Sequence, residues 1–254
     1  MPKTIFMIHG MWGGPWLWQN YIDFFENKGY RCRAATLPYH DVNPQDPPPP
    51  ELGNVSILDY AAALQNEIEK MEEKPVIIGH SMGGLLGQIL AGRQLAQKLV
   101  LLAPAAPAGI LSLKSSVIKS FFPALLRPGF WKQTFRIPFD KAVYSMLHLL
   151  PEEEQREAYA HFVYESGRAI AEIGFWPLDK HRAAAVTAEQ VKCPVLVLAG
   201  TLDRITPVSV IKKVAQRYAP RSTYKEFPDH AHWLPGEPEW KEVAATALEW
   251  IENS

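Results

Sequence analysis

Six short stretches of the chain have the length of β-strands, and most of them are strongly apolar. They are residues 4–8, 30–35, 75–78, 98–103, 195–200 and 223–227. Continuous apolar runs, such as Ile-Phe-Met-Ile at 5–8 and Val-Leu-Val-Leu at 195–198, are typical of strands buried on both faces. We therefore expect a sheet whose central strands are buried.

Helical patterns lie between these strands. Apolar residues recur at helical spacing in residues 15–27, and Gly29 follows them as a stop signal. Ser56 and Asp59 resemble a capping box that begins a helix ending near residue 72. Further helices are predicted at residues 85–91, 207–218 and 238–253. The alternation of strands and helices predicts an α/β fold, with a mostly parallel central sheet flanked by helices.

The alternation stops between residues 104 and 192. This segment is aromatic and apolar, prolines interrupt it, and helical spacing occurs at 140–150 and 152–173. We predict that residues 104–192 are a helical insertion that forms a cap (lid), and that residues 1–103 and 193–254 form the core. Most aromatic side chains of the insertion are expected to pack against one another, and a minority to face a substrate.

Composition excludes several classes of function. The formal net charge of −1 over 254 residues provides no basic field for nucleic acid. No apolar run approaches the length of a membrane span, and the first predicted strand begins too early for a signal peptide. No Cys/His metal spacing, G-x-G-x-x-G or Walker loop occurs, so neither a metal nor an organic cofactor is expected. Cys32 and Cys193 are interpreted as buried thiols of a reducing compartment, which predicts a cytoplasmic protein.

The segment Gly79-His80-Ser81-Met82-Gly83-Gly84 lies between a predicted strand and a predicted helix. Its G-x-S-x-G spacing, in this context, is the pattern of a nucleophile elbow. So sharp a turn strains the serine backbone and brings strand and helix close together, and side chains two residues away would collide. The pattern predicts that Ser81 is a nucleophile.

Four polar loops follow predicted strands, at the edge of a parallel sheet where ligands bind. They contain His9, Ser81, Asp203 and the pair His230 and His232. A serine nucleophile needs a base, and the base needs an orienting carboxylate. Asp203 is the candidate acid, although such an aspartate can also cap the following helix. His232 is favoured as the base over His230, while His9 and His80 are interpreted as hydrogen-bonded scaffold.

With the order Ser81, Asp203, His232, the whole chain resembles the α/β-hydrolases with a cap domain. The motifs that carry the resemblance are His9-Gly10-Met11-Trp12, the serine elbow, Gly200-Thr201-Leu202-Asp203 and Ala231-His232-Trp233. The resemblance implies a sheet without the first hairpin of larger members. It also implies an oxyanion hole made by the backbone N–H groups of Met11 and Met82, of which Met82 follows the nucleophile.

The resemblance implies two-step acyl transfer without a cofactor, and the aromatic insertion favours small to medium apolar carboxylic esters as substrates. Candidate substrate-binding residues are Trp12, Phe130, Trp131, Phe135, Trp176 and Trp233. Arg127, Lys132 and Arg136 could recognise a carboxylate but are interpreted as solvated. The alternatives left open are a carbon–carbon bond hydrolase, a cofactor-free haloperoxidase and a ligand receptor without turnover.

Overall fold

The computed structural model describes residues 4–111 and 114–254. The strands are β1 (Thr4–Ile8), β2 (Arg31–Ala34), β3 (Val76–His80), β4 (Lys98–Leu102), β5 (Thr134–Phe135), β6 (Glu165–Ser166), β7 (Val195–Gly200) and β8 (Ser222–Phe227). The α-helices are α1 (Gln19–Glu26), α2 (Ile57–Ile68), α3 (Met82–Gly92), α4 (Ser115–Leu125), α5 (Phe139–Ala142), α6 (Glu152–Ala160), α7 (Gly167–Gly174), α8 (Val208–Arg217) and α9 (Trp240–Asn253). A π-helical turn, Val143–Leu147, continues α5.

The main sheet has six strands in the order β2-β1-β3-β4-β7-β8, and every neighbouring pair is parallel. The predicted α/β fold with a parallel central sheet is therefore confirmed. Because all six strands run the same way, the loops that follow β1, β3, β7 and β8 lie at one edge of the sheet.

The burial of each strand follows its place in the sheet. The four inner strands are buried along almost their whole length, which accounts for their uninterrupted apolar sequences. The edge strands β2 and β8 alternate between more and less exposed positions. Cys32 lies on β2 and Cys193 just precedes β7, and both are free and only partly buried. The prediction that both thiols are buried was wrong, because an edge strand and the start of a strand each leave one side uncovered.

Most predicted helices occur with small shifts at their ends. Ser56 begins α2 with the predicted capping box, in which the Ser56 N–H donates to Asp59 Oδ2 over 2.8 Å. The helical spacing at 152–173 does not correspond to one continuous helix. Helix α6 ends at Ala160, the Val163 N–H donates to the Trp12 carbonyl over 2.9 Å, and β6 then pairs with β5. Of α6 only Ala158 is buried, and the apolar positions that extended the pattern belong to the segment after the break and to α7.

Residues 104–192 lie between β4 and β7, which are neighbours in the six-stranded sheet, and none of the described residues of this segment belongs to that sheet. Two of its carboxylates are buried against the core. Glu165 accepts a hydrogen bond of 2.7 Å from the Tyr60 hydroxyl, and Glu172 accepts bonds of 2.8 Å from the Ser56 hydroxyl and the Ile57 N–H. These contacts attach the segment to α2.

No helix within the described ranges combines the length and the apolar character that crossing a membrane requires.

Candidate active site

Ser81 lies at the junction of β3 and α3, with backbone angles φ 54° and ψ −119°. This left-handed φ is unfavourable for a non-glycine residue. Backbone hydrogen bonds hold it, since the Ser81 N–H donates to Leu102 over 3.1 Å and the Ser81 carbonyl accepts from Ala105 over 2.8 Å. The strained turn lifts the hydroxyl above the edge of the sheet.

The two glycines of the elbow are required for different contacts. A Cβ on Gly79 would overlap the backbone of Gly83 across the turn. A Cβ on Gly83 would instead overlap the carbonyl oxygens of Ile8 and His9 in and after β1. The motif therefore fixes the turn itself and also the close approach of α3 to the neighbouring strand.

Ser81, His232 and Asp203 form one chain of hydrogen bonds. Ser81 Oγ lies 3.0 Å from His232 Nε2, and His232 Nδ1 lies 2.8 Å from Asp203 Oδ2. Ser81 follows β3, Asp203 follows β7 and His232 follows β8, so the parallel sheet brings three distant parts of the sequence together. Asp203 and His232 are almost completely buried, which protects this chain from water.

Asp203 has a full set of donors besides the histidine. Its Oδ1 accepts the N–H groups of Ile205 over 2.7 Å and Thr206 over 2.8 Å. Its Oδ2 accepts from the Thr206 hydroxyl over 2.7 Å. Burial alone would raise the pKa of this carboxyl, but His232 and these hydrogen bonds lower the pKa below its usual value. The carboxylate therefore closes the turn before α8 and also orients His232.

The backbone around His232 is fixed on both sides. The buried Glu237 carboxylate accepts the N–H groups of Ala231 and Trp233, each over 2.9 Å. His80 Nε2 lies 2.8 Å from the His232 carbonyl oxygen, to which it donates. His230, the alternative base, points elsewhere: its Nδ1 lies 2.9 Å from the Pro228 carbonyl oxygen.

His9 and His80 are buried and hydrogen-bonded. His9 Nε2 accepts the Leu37 N–H over 3.3 Å. Burial and the charge of His40 lower the pKa of His9 to about 3. Burial and the charge of His232 likewise lower the pKa of His80 to about 3. Both rings are therefore neutral at physiological pH.

The two predicted oxyanion donors lie beside Ser81. Met82 is the first residue of α3, and Met11 follows Gly10, where an added Cβ would lie 2.9 Å from the Cβ of Ser81. Among the described residues, no protein acceptor is found for either N–H. Both residues line a cavity whose wall also includes Ser81.

Two cavities meet at Ser81. The large cavity has a volume of about 360 Å³ and is walled mostly by aliphatic and aromatic side chains of α4, α7 and the core. The small pocket has a volume of about 10 Å³ and lies beside His80, His232 and Trp233.

Half of the six predicted substrate-binding residues line these cavities. Trp12 and Trp233 line the small pocket, and Trp176 lines the large cavity. The other three belong to neither set of lining residues. Phe130 and Trp131 pack on each other, with ring centroids 5.6 Å apart. Phe135 packs against Trp12, with ring centroids 6.4 Å apart. Their aromatic sequence carried no information on which way they face.

Thr206 and Glu237 are residues of the site that sequence reasoning missed. Thr206 is the third residue after Asp203, a spacing at which a hydroxyl commonly bonds an aspartate in a turn, so it could have been found. Glu237 lies in the loop before α9, and no sequence signal connects it with His232. Within the described residues there is also no cluster of three or more His, Cys, Asp or Glu suited to holding a metal ion.

Solved structures of known proteins have a similar fold. The most similar solved structures include the monoacylglycerol lipase of Paleococcus ferrophilus, at 23% identity, with 99% of this chain and 95% of that chain covered and a TM-score of 0.69. The pyrethroid hydrolase of Sphingobium faniae JZ-2 is 18% identical, with 99% and 98% covered and a TM-score of 0.71. Tomato methylketone synthase I, solved with 2-tridecanone, is 16% identical, with 100% and 99% covered and a TM-score of 0.74.

At these identities the likeness shows a common fold and not a common substrate. A family model provides the stronger match, because the model of the alpha/beta hydrolase family aligns with residues 5–246 of the chain. On this match over nearly its whole length, the chain belongs to the alpha/beta hydrolase family.

Proposed function

We propose that this chain is a serine hydrolase that cleaves carboxylic esters. The observation that carries the proposal is the hydrogen-bonded chain from Ser81 through His232 to Asp203, which opens onto an apolar cavity. A serine hydroxyl becomes nucleophilic when a histidine accepts its proton, and the histidine is held in the required tautomer by a carboxylate. The similarity to a lipase and to a pyrethroid hydrolase supports the same class of reaction.

The reaction proceeds in two steps. His232 Nε2 takes the Ser81 proton while Oγ attacks the ester carbonyl carbon, and the alcohol leaves with that proton as the C–O bond breaks. Water then gives a proton to the same nitrogen and attacks the acyl carbon. As the bond between that carbon and Oγ breaks, the proton passes to Ser81 Oγ and the carboxylic acid is released. The backbone N–H groups of Met11 and Met82 stabilise the oxyanion of each step, for which loss of one donor typically costs about 2.7–4 kcal/mol. No metal or organic cofactor takes part.

Residues 104–192 act in this proposal as a cap that supplies most of the substrate cavity. Side chains of α4 and α7 wall the large cavity opposite Ser81. An apolar cavity that excludes water strengthens the electrostatic interactions of the oxyanion site. The cap therefore selects the substrate, and the core carries out the chemistry.

The test is hydrolysis of a series of methyl esters, followed by acid release, with the wild type and with Ser81→Ala. Turnover is expected for the wild type and is expected to fall by roughly 10⁴-fold or more in the variant. His232→Ala and His230→Ala form a matched pair, of which only the first is expected to abolish turnover. Absence of turnover by a folded wild type would instead favour a carbon–carbon bond hydrolase or a receptor.

A further inference from the structure

The two cavities that meet at Ser81 differ greatly in size. The large cavity of about 360 Å³ includes Met82 and Thr206 in its wall but not His232. The small pocket of about 10 Å³ includes His232, His80 and Trp233. An ester bound at Ser81 has two halves, so the structure offers them very different amounts of space.

The chemistry of acyl transfer decides which half occupies which space. The leaving alcohol takes its proton from His232 Nε2, which lies 3.0 Å from Ser81 Oγ. The water that later attacks the acyl-enzyme gives its proton to the same nitrogen. Alcohol and water must therefore both lie on the side of His232, where the small pocket is. The acyl chain therefore occupies the large cavity, on the side of Ser81 away from His232.

We propose that the preferred substrates are esters of a medium-chain, uncharged carboxylic acid with an alcohol about as small as methanol. The inference rests on the proposed function, because it assumes that Ser81 is acylated. The overall reaction consumes one water and yields the medium-chain acid and the small alcohol. The bond between the carbonyl carbon and the alkoxy oxygen breaks, and no oxidant or reductant is needed.

The large cavity sets the length of the acyl chain. The cavity of about 360 Å³ is many times larger than the small pocket, and we assign it to an alkyl chain of medium length, between octanoyl and dodecanoyl. The described lining residues of this cavity include no charged side chain. A carboxylate or an ammonium group on the acyl chain would therefore be buried without a group of opposite charge.

The mouth of the large cavity is apolar as well. Leu111, Ile118 and Phe175 line it and are among the most exposed large hydrophobic side chains of the described residues. Exposed apolar side chains that border a cavity mark a route for an apolar ligand. An alkyl chain can therefore remain in contact with hydrocarbon from the surface to Ser81.

The small pocket is kept small by side chains that are themselves fixed. Trp12 is buried and donates its indole N–H to the Phe135 carbonyl over 3.0 Å. The backbone of Trp233 is held by Glu237, and Met146 fills the wall contributed by the insertion. A volume of about 10 Å³ is close to the minimum that holds one water molecule. One water, or a methyl group in its place, fits beside His232.

The experiment compares two isomeric esters, methyl decanoate and nonyl acetate. They have the same atoms and nearly the same hydrophobicity, and they differ in which half carries the long chain. We expect kcat/KM to be at least about 100-fold higher for methyl decanoate. Among methyl esters, kcat/KM is expected to rise by up to about fourfold for each added methylene that becomes buried, and to level off beyond dodecanoate. Equal rates for the isomers, or faster hydrolysis of nonyl acetate, would overturn the inference.

Two variants test the acyl half and the alcohol half of the substrate separately. Ile173→Trp narrows the large cavity and is expected to shift the best acyl length from decanoyl toward butanoyl. Met146→Ala widens the small pocket and is expected to raise the rate of butyl decanoate relative to methyl decanoate by about tenfold. An unchanged preference in both folded variants would count against the assignment. The comparison of the two isomers uses the wild type alone, so it does not depend on whether the variants fold.

Failure of the inference differs from failure of the proposed function. Methyl acetate is small enough for either arrangement, and acylation of Ser81 is detectable as a mass increase. If methyl acetate is hydrolysed through Ser81 but the isomer preference is reversed, only the inference fails. If no ester is hydrolysed and Ser81 is never acylated, the proposed function fails and the inference fails with it.

Discussion

The Asp203 carboxylate is held from all sides by groups within three residues of it and by His232. Ile205 and Thr206 donate backbone N–H groups to Oδ1, and the Thr206 hydroxyl donates to the same Oδ2 that faces His232. Each donor stabilises the ionised carboxylate, which in turn fixes the tautomer of the histidine. In the proposed mechanism Thr206 therefore acts through Asp203, as a positioning residue.

Replacing Thr206 by valine removes this hydroxyl while keeping the shape of the side chain. A hydrogen bond to a charged group contributes about 1.5–3 kcal/mol, so kcat is expected to fall by about tenfold or more with little change in KM. The pKa of Asp203 is expected to rise, because one of the groups that lower it is lost. Steady-state kinetics of Thr206→Val test this, with Thr206→Ser as the control that retains the hydroxyl. Equal losses in both variants would show that the hydroxyl has no part in positioning Asp203.

Helix α3 approaches strand β1 so closely that only glycine fits between them. A Cβ on Gly83 would overlap the Ile8 carbonyl oxygen, whereas a Cβ on Gly92, at the other end of the same helix, would have its nearest neighbour 4.0 Å away. Gly83→Ala is therefore expected to lower the free energy of unfolding by about 3 kcal/mol or more.

The matched variant Gly92→Ala is expected to be neutral or to stabilise the protein by up to about 1 kcal/mol. Urea unfolding of both variants measures the difference. A Gly83→Ala protein as stable as the wild type would show that the elbow and β1 can separate at little cost.

The elements predicted correctly are those in which local pattern and tertiary contact demand the same residues. The strand 195–200 is buried on both faces, so its apolar run was sufficient evidence. Ser56 and Asp59 are close in sequence, and their capping box involves only local backbone. Residues 163–166 could not be predicted, because their extended path depends on the Trp12 carbonyl and on β5, both distant in sequence.

The same distinction applies to the candidate site. The G-x-S-x-G motif, the polar loops after predicted strands and the resemblance to the α/β-hydrolases led to Ser81, Asp203 and His232, which the parallel sheet brings together at one edge. The direction in which Phe130 and Trp131 face depends on the packing of α7 and its neighbours. Packing between residues distant in the sequence produces no periodic pattern of apolar residues.

On the scale of the whole molecule, buried ionisable groups connect the insertion and the loops to the core. Glu165 of the insertion lies 3.3 Å from His40 Nε2, and both side chains are inaccessible to solvent. Burial lowers the pKa of His40, but the charge and hydrogen bond of Glu165 outweigh it, so that the pKa is raised. Since the folded pKa of His40 exceeds the unfolded one, the contribution of His40 to stability is fully present below about pH 6.5 and is lost as the pH rises through the raised pKa.

His9 contributes with the opposite sign, because burial and the charge of His40 lower its pKa from 6.5 to about 3. The folded state binds a proton at His9 less readily than the unfolded state, so its contribution is present above about pH 6.5 and is lost as the pH falls toward 3. Protonation would also turn Nε2 into a donor facing the Leu37 N–H.

Replacing His9 by glutamine removes this titrating group from the folded and the unfolded protein alike. In His9→Gln, the fall of the unfolding free energy below about pH 6 is expected to be shallower than in the wild type by about 1.4 kcal/mol per pH unit. Urea unfolding between about pH 6 and about pH 4 measures both slopes. His181→Gln, at an exposed position, is the control for the same replacement of histidine by glutamine. Parallel curves for His9→Gln and the wild type would mean that His9 is protonated in the folded protein as readily as in the unfolded chain.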